Sequence, residues 1–141
     1  MALDIAAALG YRPVAGTEVV PELLGDGVVY GPAWALPFAD RAFGTVTSFD
    51  VFEHLLPGDV PEALAELARV ASRRILLLVS CVPSLVTDEA GQLHATVWTP
   101  ERWAREIRAA WPACWGFGEG GPPGRTSALF EGWRSGETPA A

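Results

Sequence analysis

The sequence predicts an α/β fold whose sheet is largely parallel and is closed at its C-terminal end by an antiparallel hairpin. The reading covers a single domain over residues 1–134 and a flexible tail over 135–141. Three observations carry it. Strand-like runs rich in β-branched residues alternate with stretches of helical period. Residues 75–79 are an unbroken apolar run of strand length, the pattern of a parallel strand covered on both faces. Two final strand-like segments, 114–118 and 127–133, flank a loop rich in Gly and Pro.

Each element follows from local chemistry. Residues 2–9 read as a short helix with Leu3, Ala6, Ala7 and Leu9 on one side and Gly10 as its stop. Pro13 forces extension, so residues 14–20 hold the first strand. A helical turn at 21–24, a tight Gly25-Asp26-Gly27 loop and a brief strand at 28–30 come next. Residues 43–49 (FGTVTSF) form the third strand. Asp59 and Glu62 have capping-box spacing ahead of a Leu64, Leu67, Val70 stripe, and Arg73 and Arg74 complement the dipole at the end of that helix. Thr99 and Pro100 supply an N-cap and a first-turn proline for a helix that turns Trp103 and Ile107 inward. Trp98, Trp103, Trp111, Trp115 and Trp133 read as packing residues, and residues 84–92 as a lid.

Composition removes several function classes. With 141 residues, half of them apolar and six tryptophans, the chain can bury one core. Its net charge is −7, from 17 acidic residues against 10 basic ones, all arginine, so it repels a phosphate backbone and nucleic acid is not expected as a partner. No apolar run approaches the roughly 20 residues that span a bilayer, so no membrane association is expected. Asp4 stands where a leader would carry basic residues, which points to the cytoplasm. Cys81 and Cys114 lack ligand-type spacing, so neither a disulfide nor a metal site is expected.

Parallel sheets bind ligands beyond the carboxyl ends of their strands, which nominates residues 18–20, 30–35, 48–54 and 80–83. Glu18 ends the first strand, where a carboxylate either accepts from two adjacent ribose hydroxyls or is simply solvated. His54 and His94 are the two histidines and the candidate bases near neutral pH, and His54 has the alternative of bonding a loop.

Residues 31–43 (GPAWALPFADRAF) resemble the GDAxxLPFxDxxF loop of class I S-adenosylmethionine-dependent methyltransferases of the small-molecule type. TSFDVFEHL, EALAELARV and RRILLLVS are similar to the family's fourth strand, next helix and fifth strand, in that order. LHATVWTPERW is similar to an LHxTxxxPExW stretch of members that act on sugars or glycans. The resemblance spans residues 10 to about 133 and implies a Rossmann-like sheet with S-adenosyl-L-methionine as cofactor. It implies Glu18 at the ribose, Ala33 and Trp34 at the adenine, and Phe49 and Asp50 beside the methionyl end. It places His54 at the mouth of the site and leaves His94 to orient or deprotonate a small-molecule or glycan acceptor.

The chain departs from that pattern in three places. The family's first strand and GxGxG loop have no counterpart here, so the expected sheet is incomplete at its N-terminus, as in a truncated form. The neighbours of the absent strand, residues 14–20 and 43–49, then either pair directly, keep unpaired edges or accept a strand from another chain. Pro32 and Gly44 stand where the family has acids. The glycines at 116–121 open no helix and form no cofactor loop. Two functions are therefore open: an active methyltransferase, or a noncatalytic relative that assembles as a homodimer or heteromer with an intact enzyme.

Overall fold

The computed structural model describes residues 8–10, 14–88, 91–113, 115–120 and 126–136. In chain order the strands are β1 (Gly16–Glu18), β2 (Val28–Tyr30), β3 (Phe43–Phe49), β4 (Ala71–Ser80), β5 (Thr87–Asp88), β6 (Gly91–Gln92), β7 (Trp115–Gly120) and β8 (Ser127–Arg134). Helix α1 is Val60–Val70 and helix α2 is Pro100–Ala110, with 3-10 turns at Pro21–Leu23 and Phe52–His54. Of the expected N-terminal helix, Ala8 is helical and Gly10 has φ +86°, the left-handed conformation that ends a helix; residues 2–7 lie outside the described residues.

A four-stranded sheet in the order β3-β4-β8-β7 carries the core. β3 and β4 are parallel, while β8 is antiparallel to both β4 and β7, which confirms the C-terminal hairpin. β1 and β2 form a separate parallel pair. β1 and β3 therefore do not pair with each other, and each keeps one edge without a strand partner among the described residues. In the doubly wound order the first strand of the fold stands between those two.

Alternation along β4 decides which side is the core. Ile75, Leu77 and Val79 are buried, and the register places Val46 and Ser48 on β3 and Gly132, Phe130 and Ala128 on β8 on the same face. Val60, Ala63, Leu64 and Leu67 of α1 and Trp103, Ala104 and Ile107 of α2 pack into that core. Each large side chain fully buried there contributes about 1.5–3 kcal/mol. Trp111 lies over Gly132, where a Cβ would come within 2.3 Å of the indole, and its N–H donates to the Leu64 carbonyl at 3.1 Å. Trp98, Trp103, Trp111 and Trp115 are buried, and Trp133 lies over Gly116 and Gly118, so all five pack.

Two local expectations are corrected. Among the described residues β4 is fully covered on one face only: Leu76 and Leu78 are half-buried, while α1 and α2 pack together on the Ile75 side. Asp59 makes no side-chain cap, since its backbone is already helical (φ −88°, ψ −17°) and Pro61 in the first turn has no N–H to offer. The first strand, Gly16–Glu18, lies within residues 14–20 and ends at Glu18, as expected. Thr99 does cap α2, accepting from the Arg102 N–H at 3.4 Å. Residues 87–92 contain a small antiparallel pair, β5–β6, and the Gln92 side chain clasps the Ser84 backbone.

Candidate functional site

The loop between β2 and β3 is held by two residues of α1. Glu66 accepts from the Leu36 N–H at 2.7 Å, while Arg69 donates to the Phe38 carbonyl at 2.7 Å, the Leu36 carbonyl at 3.0 Å and the Asp40 carboxylate at 2.9 Å. The Arg69 guanidinium holds the Glu66 carboxyl below its ordinary pKa, and Glu66 and Asp40 raise that of Arg69. The spacing of LPFAD and ELAR thus has a physical cause: the helix supplies a charge pair that satisfies the loop backbone. Gly31 opens the loop in contact with its base. A Cβ there would lie 2.5 Å from Pro37 Cδ, and its N–H donates to the Glu18 carbonyl at 3.2 Å.

That loop places Ala33 against the core and leaves Trp34 with 41% of its surface exposed at the carboxyl end of β2. Glu18 stands at the carboxyl end of β1, its Oε1 accepting from the N–H groups of Val19 and Val20 at 2.7 and 3.1 Å. The strand end thus fixes its carboxylate. Phe49 ends β3 with 49% exposure, and Asp50 follows in the left-handed region at φ +54°, its N–H donating to Leu78 O at 3.1 Å. A non-glycine residue held at positive φ is strained, and Asp tolerates it better than most.

The structure brings His54 and His94 together, with ring centroids 5.0 Å apart at 88°. Backbone lacing does this: Thr96 N donates to Glu53 O at 2.9 Å, and the buried Thr96 hydroxyl donates to Leu55 O at 2.6 Å. His54 Nδ1 lies 3.1 Å from the Leu93 carbonyl and His94 Nδ1 lies 2.7 Å from that of Val82, so each ring is oriented by main chain. Each Nδ1 then carries the proton, which leaves Nε2 as the acceptor. Glu53, not singled out from sequence, lies 1% exposed beneath them and accepts from Ser80 N at 3.1 Å. The signal for it was its place in FEHL, next to a histidine in the 3-10 turn that follows β3.

No hydrogen bond among the described residues joins the Glu18, Ala33, Trp34 group to the Phe49, Asp50 group; the unpaired strand edges separate them. Cys81 is a free thiol whose pKa burial pushes up, so it is a poor nucleophile; Cys114 lies outside the described residues. A concavity of about 380 Å³, lined by Asp40, Arg41, Arg69 and Arg134, lies at the amino end of β3, opposite the end that carries Phe49. Among the described residues no helix is long and apolar enough to cross a membrane.

Residues 3–79 match the family model described as a methyltransferase domain. The PH0226 protein from Pyrococcus horikoshii OT3 is similar in structure, with a TM-score of 0.70 at 14% identity over 94% of this chain and 76% of its own. A Burkholderia thailandensis 1,6-didemethyltoxoflavin-N1-methyltransferase, solved with bound 1,6-didemethyltoxoflavin and S-adenosylhomocysteine, has a TM-score of 0.64 at 20% identity over 94% of this chain and 66% of its own. A chain of the Haloferax volcanii complex that contains the Trm112 methyltransferase activator has a TM-score of 0.61 at 15% identity over 93% of this chain and 77% of its own. No curated protein matches.

Proposed function

The chain belongs to the methyltransferase domain family, and from that premise we propose that it binds S-adenosyl-L-methionine at the carboxyl ends of β1, β2 and β3 and serves methyl transfer to a small-molecule or glycan hydroxyl. The observation that carries the reading is that a fixed carboxylate, Glu18, and two exposed aromatic residues, Trp34 and Phe49, each stand at or just beyond the carboxyl end of a strand. Such a donor set suits an adenosine-containing cation: a carboxylate for vicinal hydroxyls, an indole face for a base, an aromatic ring and Asp50 for a sulfonium. When bound, the cofactor supplies an electrophilic methyl group.

The chain's own residues then divide the work. Glu18 accepts from the ribose hydroxyls, and Ala33 and Trp34 pack the adenine. Phe49 and Asp50 face the methionyl end. His94, its Nδ1 engaged by Val82 O, presents Nε2 to the acceptor hydroxyl, with His54 beside it. Positioning supplies much of the rate in such an in-line transfer.

Calorimetric titration with S-adenosylhomocysteine tests the reading. Saturable one-to-one binding supports it, with Trp34→Ala weakening the affinity about tenfold or more, as loss of a base-stacking ring does. Absence of binding by the folded wild-type protein contradicts it.

The edges of β1 and β3 that have no strand partner among the described residues favour a second reading, a noncatalytic member that completes its sheet in an assembly with itself or with an intact methyltransferase. Sedimentation of the purified chain tests it: a stable oligomer that binds no S-adenosylhomocysteine supports assembly, and a monomer at all concentrations and with added partner contradicts it.

A further inference from the structure

We propose that Glu53, His54 and His94 form a binding site for one first-row divalent cation of the Zn²⁺ or Co²⁺ class. One donor atom from each of the three lies within 4.8 Å of the other two. A second observation points the same way. Glu53 is 1% exposed, its Oε1 accepts from Ser80 N, and its Oε2 has no hydrogen-bond partner. A buried carboxyl oxygen left without a partner costs about 1–3 kcal/mol, more if it is charged. A cation removes that cost.

The histidines have the arrangement metal-binding imidazoles need. A ligating ring ordinarily gives its other N–H to a carbonyl or carboxylate, which fixes tautomer and orientation. Both rings do so here, His54 through Leu93 O and His94 through Val82 O, leaving Nε2 of each to coordinate. Two imidazoles and one carboxylate select borderline first-row metals over Mg²⁺ or Ca²⁺. With bonds of about 2.0–2.2 Å, a tetrahedral ion draws its donors to within about 3.5 Å of one another. Donors that start within 4.8 Å of one another close by up to about 1.3 Å, and the exposed His54 side chain has room to move.

Three protein donors leave a coordination position open toward solvent at the carboxyl end of β3. The metal site stands without the methyl-transfer reading. If that reading holds, the open position receives an acceptor oxygen and lowers the pKa of its hydroxyl, so that the histidines act through the metal rather than as free bases.

The test is titration of the chelator-treated full chain with Co²⁺, followed by visible absorption, and with Zn²⁺ in competition. One equivalent of Co²⁺ should develop ligand-field bands that Zn²⁺ abolishes. His94→Ala, at a half-buried position, should keep the fold by circular dichroism and weaken binding more than about 100-fold, since loss of an outer-shell partner alone costs about 10–100-fold. Glu53→Gln, which preserves an acceptor for Ser80 N–H, should do the same. Absence of saturable binding by the wild-type chain, or equal affinity in a His54→Ala/His94→Ala double variant, overturns the proposal. Co²⁺ binding without S-adenosylhomocysteine binding removes the methyl-transfer reading and keeps the metal site; the converse removes only the metal site.

Discussion

Single residues fix the loop that leaves β2 through close approach and through charge. Gly31 admits no side chain, because Pro37 and Thr17 occupy the space a Cβ would take. Gly31→Ala is expected to destabilise by about 1–3 kcal/mol, as overpacking does. Gly58→Ala, with open space around it, should change stability by less than about 0.5 kcal/mol. Urea denaturation midpoints of the two variants check this. Glu66 gives a pH dependence. Its carboxyl is held below the ordinary value of 4.5 by Arg69, so the folded state binds its proton less readily than the unfolded chain. Its contribution is complete above that ordinary value and is lost as pH falls through the lowered one. Glu66→Gln should therefore be less stable than wild type near neutrality and should converge on it in acid, as thermal midpoints across the range would show.

At the scale of elements, α1 does two jobs: its apolar side closes the core and its Glu66–Arg69 turn holds the loop that presents Trp34. Arg69→Leu keeps the aliphatic bulk and removes the donors to Leu36, Phe38 and Asp40. The expected cost is about 2 kcal/mol, with faster amide hydrogen exchange at the loop while amides of β4 and β8 keep their protection. Helix α2 is independent of that network and relies on Thr99. Thr99→Ala should cost about 1 kcal/mol, read by thermal unfolding.

Elements with a local cause were legible in the sequence. The β-branched run of 43–49 became β3 with the same bounds, and Thr99-Pro100 opened α2 as its chemistry dictates. Asp59 had the right spacing for a capping box, yet its backbone is helical and its side chain makes no cap. That outcome depends on how Pro61 sets the first turn. The meeting of His54 with His94 was not legible either. It depends on Thr96 lacing the two segments, and nothing in the spacing of the histidines states a distance between them. Glu53 went unnoticed because burial of an acid beside a histidine is a tertiary fact.

For the whole molecule, the proposed site joins the carboxyl ends of β1, β2 and β3 although β1–β2 and β3–β4 belong to separate hydrogen-bonded sheets. A single ligand bound there is felt on both sides of the gap between β1 and β3. Amide chemical-shift mapping on addition of S-adenosylhomocysteine measures this directly. Saturable shifts at residues 18–20, 31–35 and 49–50 together are the predicted result. Shifts confined to one of those groups, or gathered instead around Arg41 and Arg69 at the opposite end, would contradict it.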